Sequence, residues 1–143
     1  MAKWVGSSPM WLTVVFAASL LSSGCTANVN CSVDQGPNGQ KTICNGTVFT
    51  YTLQGTPPGT SDSYTWQNDR GQAQVSAVFQ GSGSASVTIK DSAGKQVYAR
   101  THSGSGQTAE SQSTTGAKGA WTISIQVTAL SGQVVVSVTP MSP

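Results

Sequence analysis

The sequence has unusually few charged side chains. Only 8% of its 143 residues are charged, with seven Lys and Arg against five Asp and Glu, whereas about 25% is typical of soluble domains. Binding to nucleic acid and electrostatic attachment to acidic lipid both need clustered Lys or Arg, so we expect neither. Gly, Ser, Thr and Gln take the place of the charges, and a weakly charged surface of this kind tends to self-associate.

Histidine is almost absent, which limits nucleophilic catalysis. His102 is the single histidine, and a Ser/His/Asp enzyme would have to use it with Ser103 or Ser105 beside it. The GxSxG nucleophile elbow does not occur in the sequence. We therefore expect His102 to be a solvated loop residue with no catalytic role.

Carboxylates are also too few and too scattered to indicate chemistry. A pair for glycoside cleavage would have to come from Asp34, Asp62, Asp69, Asp91 and Glu110. Three of these, Asp34, Asp69 and Asp91, lie in expected turns, where aspartate bonds nearby backbone. Clustered ligands and CxxC spacing are missing as well. The sequence thus predicts no enzyme, no metal site and no cofactor.

The longest apolar run lies at the N-terminus. Lys3 adds a positive charge, residues 10–21 are apolar, and the small residues Ser22 to Gly24 follow. This order is typical of an export signal, and the run is shorter than the roughly 20 residues of a membrane-spanning helix. We predict that this segment is a removable export signal.

The end of this run resembles the lipobox of bacterial lipoproteins. Leu21-Ser22-Ser23-Gly24-Cys25 matches the family pattern at Gly24 and Cys25 and departs from it at Ser22, where Leu is usual. The resemblance implies that residues 1–24 are a signal peptide removed by cleavage before Cys25. It also implies a diacylglycerol thioether on Cys25 and an acyl chain, such as palmitate, on its amine. Two or more chains anchor a protein stably where one is marginal. The following Thr26, in place of Asp, would favour the outer membrane or cell surface. The alternative is an ordinary secretory signal with a free thiol at Cys25.

Cysteine occurs at only three positions, and an odd cysteine in an exported protein needs a role. Acylation of Cys25 would leave Cys31 and Cys44 as a pair. The turn signal at residues 34–40 would bring that pair together in an oxidising compartment. We predict a Cys31–Cys44 disulfide, with two free thiols as the alternative, after a tether of residues 25–30.

Helical periodicity is missing from the chain after residue 24. Alternation with period two predicts eight or nine short strands instead. We therefore expect one antiparallel β-sandwich, of jelly-roll or immunoglobulin-like type, over residues 31–143. The predicted strands cover 28–33, 41–44, 47–53, 64–66, 75–79, 85–89, 96–101, 121–129 and 133–139, with a weak strand near 109–114.

The C-terminal part shows the clearest alternation. Trp121 begins an apolar face that continues to Ala129, and Leu130-Ser131-Gly132 is expected to turn the chain into a last hairpin strand. Residues 84–139 also resemble small sandwich domains appended to secreted bacterial proteins, through a DxxG turn at 91–94 and the GxWTI pattern at 119–123. This resemblance implies the fold and no functional residues.

Two classes of function remain open. The first is a structural or interaction protein of the cell envelope, held to the membrane by covalent lipid, with a protein or glycan partner. The second is a glycan-binding surface module. Sugar sites combine aromatic faces with amide or carboxylate groups, and the candidate set is Tyr64, Trp66, Asn68 and Asp69, with Tyr98 as an addition. The alternative is that Trp66 and Tyr64 pack into the sandwich, and exposure of Trp66 would discriminate between the two.

Overall fold

The computed structural model describes residues 30–104 and 108–143. The predicted signal segment, Cys25 and the tether up to residue 29 lie outside the described residues, as does Ser105. The described part contains no helix long and apolar enough to cross a membrane. Its strands are β1 (Asn30–Gly36), β2 (Gly39–Asn45), β3 (Phe49–Gly55), β4 (Thr60–Asn68), β5 (Gln72–Lys90), β6 (Gln96–Ser103), β7 (Thr108–Gln112) and β8 (Gly119–Met141).

The two long strands, β5 and β8, belong to both layers of the fold. They pair with each other antiparallel over all of β5 and from Thr122 to Met141 of β8, with one bulge. The first half of β8 also pairs with β4, and the second half of β5 pairs with β6, which gives a smaller sheet in the order β4-β8-β5-β6. The second half of β8 pairs with β3, which is followed by β2 and β1, and the first half of β5 pairs with β7. These strands form the larger sheet, in the order β1-β2-β3-β8-β5-β7. The predicted antiparallel β-sandwich is confirmed.

The predicted C-terminal hairpin is wrong. Leu130, Ser131 and Gly132 lie inside the continuous strand β8, and the two predicted strands 75–79 and 85–89 are likewise the two halves of β5. Ser82 pairs with Ser131 and Ser84 pairs with Thr128, so two residues of β8 face Gly83 alone. Such a bulge bends a strand sharply, and here it carries both long strands from one sheet to the other.

Glycine makes this bend sterically feasible. Gly81 and Gly132 face each other across β5 and β8, with φ values of 113° and 118°. A Cβ atom on Gly81 would collide with the carbonyl oxygen of Ser131, and one on Gly132 would collide with that of Gln80. Residues with a Cβ avoid this backbone region, so the bend requires glycine. Because glycine is also common in turns, the sequence pattern does not distinguish this bend from a turn.

The core lies between the two sheets and is built from alternate residues of every long strand. In β3 the predicted apolar face is buried, as are the alternate positions along both halves of β5 and β8. The prediction that Trp121 is a core residue is confirmed. The largest fully buried side chains are Trp66, Trp121, Tyr51, Phe49 and Phe79.

The predicted N-terminal hairpin is present, but its turn is shorter than residues 34–40, because β1 extends to Gly36 and β2 begins at Gly39. β1 and β2 pair through a turn at Pro37-Asn38, and the Cys31–Cys44 disulfide joins them near the end of the hairpin opposite the turn. The weak strand expected near 109–114 is present as β7. The loop after β3 is shorter than expected, because β4 begins at Thr60 and not at Tyr64.

Candidate functional site

The aromatic residues of the predicted sugar site serve the core. Trp66 is fully buried, meets Trp121 edge-on with ring centroids 6.2 Å apart, and donates its indole N–H to the carbonyl oxygen of Gly46 at 3.0 Å. Tyr64 is half-buried against Phe49, at a centroid distance of 5.4 Å. Neither Trp66 ring face is free to stack on a sugar, so its contacts are those of the packing alternative.

The two polar members of that set lie at the same end of the sandwich but differ in exposure. Asn68 is fully buried and holds the turn after β4, because its amide donates to the Gln72 carbonyl and its oxygen accepts from the Arg70 N–H. Asp69 has a side chain 90% exposed and lies 3.9 Å from Arg70. It borders three shallow grooves of about 290, 310 and 430 Å³. Asp69 is therefore the predicted residue that remains accessible to a ligand.

A different concavity lies at the opposite end of the sandwich, which we call the end pocket. It has a volume of about 190 Å³ between the β1–β2 turn and the loop after β3. The backbone N–H of Thr56 donates to the Asn38 carbonyl at 3.0 Å and joins these two loops. Proline and leucine form apolar walls, and one lysine, one aspartate and one threonine add polar groups. The lining residues used below are Asp34, Pro37, Lys41, Pro57, Pro58 and Thr60.

An ion pair lies beside this pocket. Lys41 on β2 donates to Asp62 on β4 at 3.0 Å, with both side chains about one-quarter exposed. The Tyr51 hydroxyl donates to the other carboxylate oxygen of Asp62 at 3.4 Å. Burial, together with the nearby charge of Asp62, raises the pKa of Tyr51 to about 12. Burial and the same carboxylate also raise the pKa of Tyr64. Both tyrosines are therefore neutral hydrogen-bond donors at neutral pH.

Two hydroxyl groups in this region are buried without a hydrogen-bond partner. They are Thr60 Oγ1 and Tyr64 Oη. A buried polar group left unpaired costs about 1–3 kcal/mol, and most such groups in folded proteins are paired. Thr60 also lines the end pocket, as Lys41 does. The end pocket and the ion pair share Lys41 and thus form one polar site.

The prediction that His102 is a solvated loop residue is wrong. His102 lies on β6, is buried, and shares a hydrogen bond of 2.9 Å with the Tyr98 hydroxyl. That hydroxyl also bonds Ser111 on β7 at 2.7 Å, which links the edges of the two sheets. Burial, and then the charge of Arg100, lower the pKa of His102. Tyr98 is equally buried, so it does not extend an exposed aromatic surface.

The expected turn roles of the aspartates hold for one carboxylate and fail for another. Asp91 accepts hydrogen bonds from the backbone N–H groups of Ala117, Lys95 and Ala93 at 2.8–3.0 Å, and these bonds lower its pKa. Asp34 lies within strand β1, paired in register with Lys41, so its predicted turn role is wrong. Among the described residues, no group of three or more His, Cys, Asp or Glu could hold a metal ion.

Sequence reasoning missed the end pocket because its parts are far apart in the chain. The two proline-containing loops were both visible as turn signals. They meet only because β2 pairs with β3, which places Gly39 opposite Gly55. Lys41 is one of the few charged residues in the chain. Its position in the alternating pattern of β2 is the signal in the sequence that could have indicated this site. The sequence pattern places its partner Asp62 in a loop, because the fourth predicted strand starts at Tyr64 whereas β4 begins at Thr60.

No family model matches the chain, and no curated protein matches it. Solved structures with a similar fold include a family 61 carbohydrate-binding module in complex with β-1,4-galactotriose. It is 12% identical, with 80% of this chain and 89% of that chain covered and a TM-score of 0.41. The capsular polysaccharide assembling protein CapF from Staphylococcus aureus is 15% identical over 78% of this chain and 29% of that chain, with a TM-score of 0.41. A family 11 carbohydrate-binding module of a Clostridium thermocellum cellulosomal cellulase is 10% identical over 89% and 92%, with a TM-score of 0.28. At these identities the likeness concerns the fold.

Proposed function

We propose that the chain is an exported lipoprotein of the bacterial cell envelope, anchored through Cys25, whose β-sandwich has an interaction role and no catalytic one. The Cys31–Cys44 disulfide is the observation that supports this most directly, because disulfides persist in oxidising compartments. With these two cysteines paired, Cys25 is the third cysteine of the chain, and the residues before it resemble a lipobox.

The direction of β1 supports a simple orientation on the membrane. Asn30 follows Cys25 by five residues and begins β1, whereas the end pocket borders the far end of that strand at Gly36. A strand of seven residues spans about 20 Å. An anchor at Cys25 would therefore hold the end pocket away from the membrane surface, where it meets external ligands.

Membrane fractionation tests the anchor. We expect Cys25→Ala to move the protein from the membrane fraction to the soluble fraction and to remove the acyl mass. The matched control Thr26→Ala keeps the cysteine and should stay in the membrane fraction. Unchanged fractionation of Cys25→Ala, or a native mass that retains residues 1–24 without an acyl group, would refute the proposal.

The end pocket supports a second candidate function, the binding of a saccharide end or another small polyol. Its proline rings offer apolar walls to sugar C–H groups, while Asp34, Lys41 and Thr60 offer polar groups. Binding sites commonly combine apolar walls with a few placed polar groups. The proline and leucine walls that enclose Asp34 and Lys41 in one concavity are the observation that favours this candidate over the exposed Asp69 end.

Titration with a panel of neutral saccharides, followed by NMR, tests this second candidate. We expect Asp34→Asn to weaken binding about tenfold, since it removes a charged hydrogen-bond acceptor. Asp69→Asn, at the opposite end, should leave the affinity unchanged. The reverse result would assign binding to the Asp69 grooves, and binding of no saccharide would remove the candidate while the anchor proposal stands.

A further inference from the structure

Five glutamines form one row across the larger sheet. The strand register places Gln35 opposite Gln40, then Gln54, then Gln133, then Gln80, on β1, β2, β3, β8 and β5. Each glutamine lies next to a glycine in its strand, and these five glycines form the adjacent row across the same strands. We call the five residues the glutamine row.

The glutamine row lies on the outer face of the larger sheet. Gln54 follows the buried Leu53, and Gln133 precedes the buried Val134, so alternation places both amides on the solvent side. The next row on that face is Val33, Thr42, Thr52, Val135 and Val78, and the row beyond it contains the disulfide, Thr50, Ser137 and Ser76. Across these five strands the rows contain amides, hydroxyls and small apolar groups, without a charged side chain.

We infer that this face binds a second copy of the chain, related by a two-fold axis parallel to the strands. Rows run perpendicular to strands, so such an axis places every row opposite itself. Each amide both donates and accepts hydrogen bonds, which makes a glutamine row complementary to its own copy. A two-fold interface is self-complementary in this way. An axis along the row would instead place the Val33 row opposite the residues beyond the glycines, where Ser131 pairs with Ser82.

The symmetry fixes the pairs of residues that meet. With the axis over β3, the middle of the five strands, Gln54 faces Gln54 of the second copy. Gln40 then faces Gln133 of the second copy, and Gln35 faces Gln80 of the second copy. Face-to-face sheets lie about 10 Å apart, a distance that two opposed glutamine side chains bridge.

Exposure and size also favour a second copy. Val33 is 57% exposed and would be covered. Five strands of about seven residues present on the order of 600 Å² per copy, compared with about 800 Å² per partner in a standard interface. The dimer should therefore be weak in dilute solution.

The parallel axis also leaves both N-termini at one end of the dimer. Copies anchored in one membrane would therefore meet in this orientation, although the match between rows does not depend on the anchor.

Cysteine cross-linking tests the face. We expect Gln54→Cys, in the full chain expressed in its host membranes, to give a cross-linked homodimer with a short bismaleimide, because opposed residues about 10 Å apart are too distant for a disulfide. The control is Ser61→Cys, an exposed position on the outer face of the smaller sheet, with at least fivefold less cross-linking. Equal yields at the two positions would overturn the inference.

A charge exchange separates a second copy from any other occupant. Gln54→Glu and Gln54→Lys each place like charges opposite each other, so co-purification of two differently tagged copies should fall about tenfold in each case. A mixture of Gln54→Glu with Gln54→Lys should recover the original level. Loss without recovery would mean that the face binds something else, such as a glycan, and no loss would mean that the face is unused. Equal melting temperatures of the variants show that folding is intact.

Discussion

Buried polar side chains organise this protein at the scale of single residues. Asp91 gathers three backbone N–H groups from two separate segments, and Asn68 holds the turn between β4 and β5. His102 belongs to this group, since it joins Tyr98 between the sheet edges. Each of these residues is polar and lies in a segment that the sequence pattern predicts to be exposed, and each is buried in the folded protein.

His102 should make stability depend on pH. Its folded pKa is lowered by burial, so the unfolded chain takes up a proton at higher pH than the folded protein does. The contribution of His102 to the free energy of unfolding is therefore fully present above about pH 6.5. It decreases as the pH falls below that value towards the folded pKa. We expect the melting temperature to fall between pH 7.5 and 5, and His102→Gln to flatten this dependence.

Thermal melts at several pH values measure this effect. A wild-type melting temperature that stays constant from pH 7.5 to 5, or the same slope in His102→Gln, would contradict the role assigned to His102.

The elements of this fold are longer than their sequence patterns suggest. β5 and β8 each supply strands to both sheets, and each bends at a glycine-rich segment. Glycine within an alternating pattern marks a turn, a bulge or a corner. Sequence alone does not separate these, because the same backbone freedom serves all three.

Substitution of a corner glycine should be costly. Gly132→Ala places a Cβ against the carbonyl oxygen of Gln80 at a φ of 118°. We expect a loss of at least about 2 kcal/mol in the free energy of unfolding, measured by urea denaturation. The control Gly36→Ala adds a Cβ at 3.7 Å from its nearest neighbour without a left-handed φ and should change stability by less than about 0.5 kcal/mol. Similar losses in both variants would contradict the proposed corner geometry.

The whole molecule is tied together by the two shared strands. Because β5 and β8 cross from one sheet to the other, neither sheet can unfold while the other keeps its central strands. The core is correspondingly one cluster of buried side chains that draws on both sheets.

Unfolding should therefore occur in one transition. Trp66 and Trp121 both lie in the smaller sheet and report its unfolding by fluorescence once Trp4 and Trp11 are replaced by Phe. Far-ultraviolet circular dichroism reports both sheets. The two guanidinium transitions should coincide, whereas separate midpoints would show that the sheets unfold independently.

Much of this protein followed from local sequence. Alternation in residues 47–53 and 121–129 predicted buried strand faces because a strand in a two-layer fold exposes one side to the core. The Pro-Asn-Gly turn predicted that Cys31 and Cys44 face each other, since a hairpin register is set by its turn.

Tertiary structure alone decided the continuity of β8, the burial of His102 and Trp66, and the meeting of two proline-containing loops at the end pocket. It also aligned five glutamines into one row, although the Gln-Gly and Gly-Gln pairs are visible in the sequence. The physical reason is common to all of these. Each depends on which strands become neighbours, and strand pairing is a long-range choice that no local pattern contains.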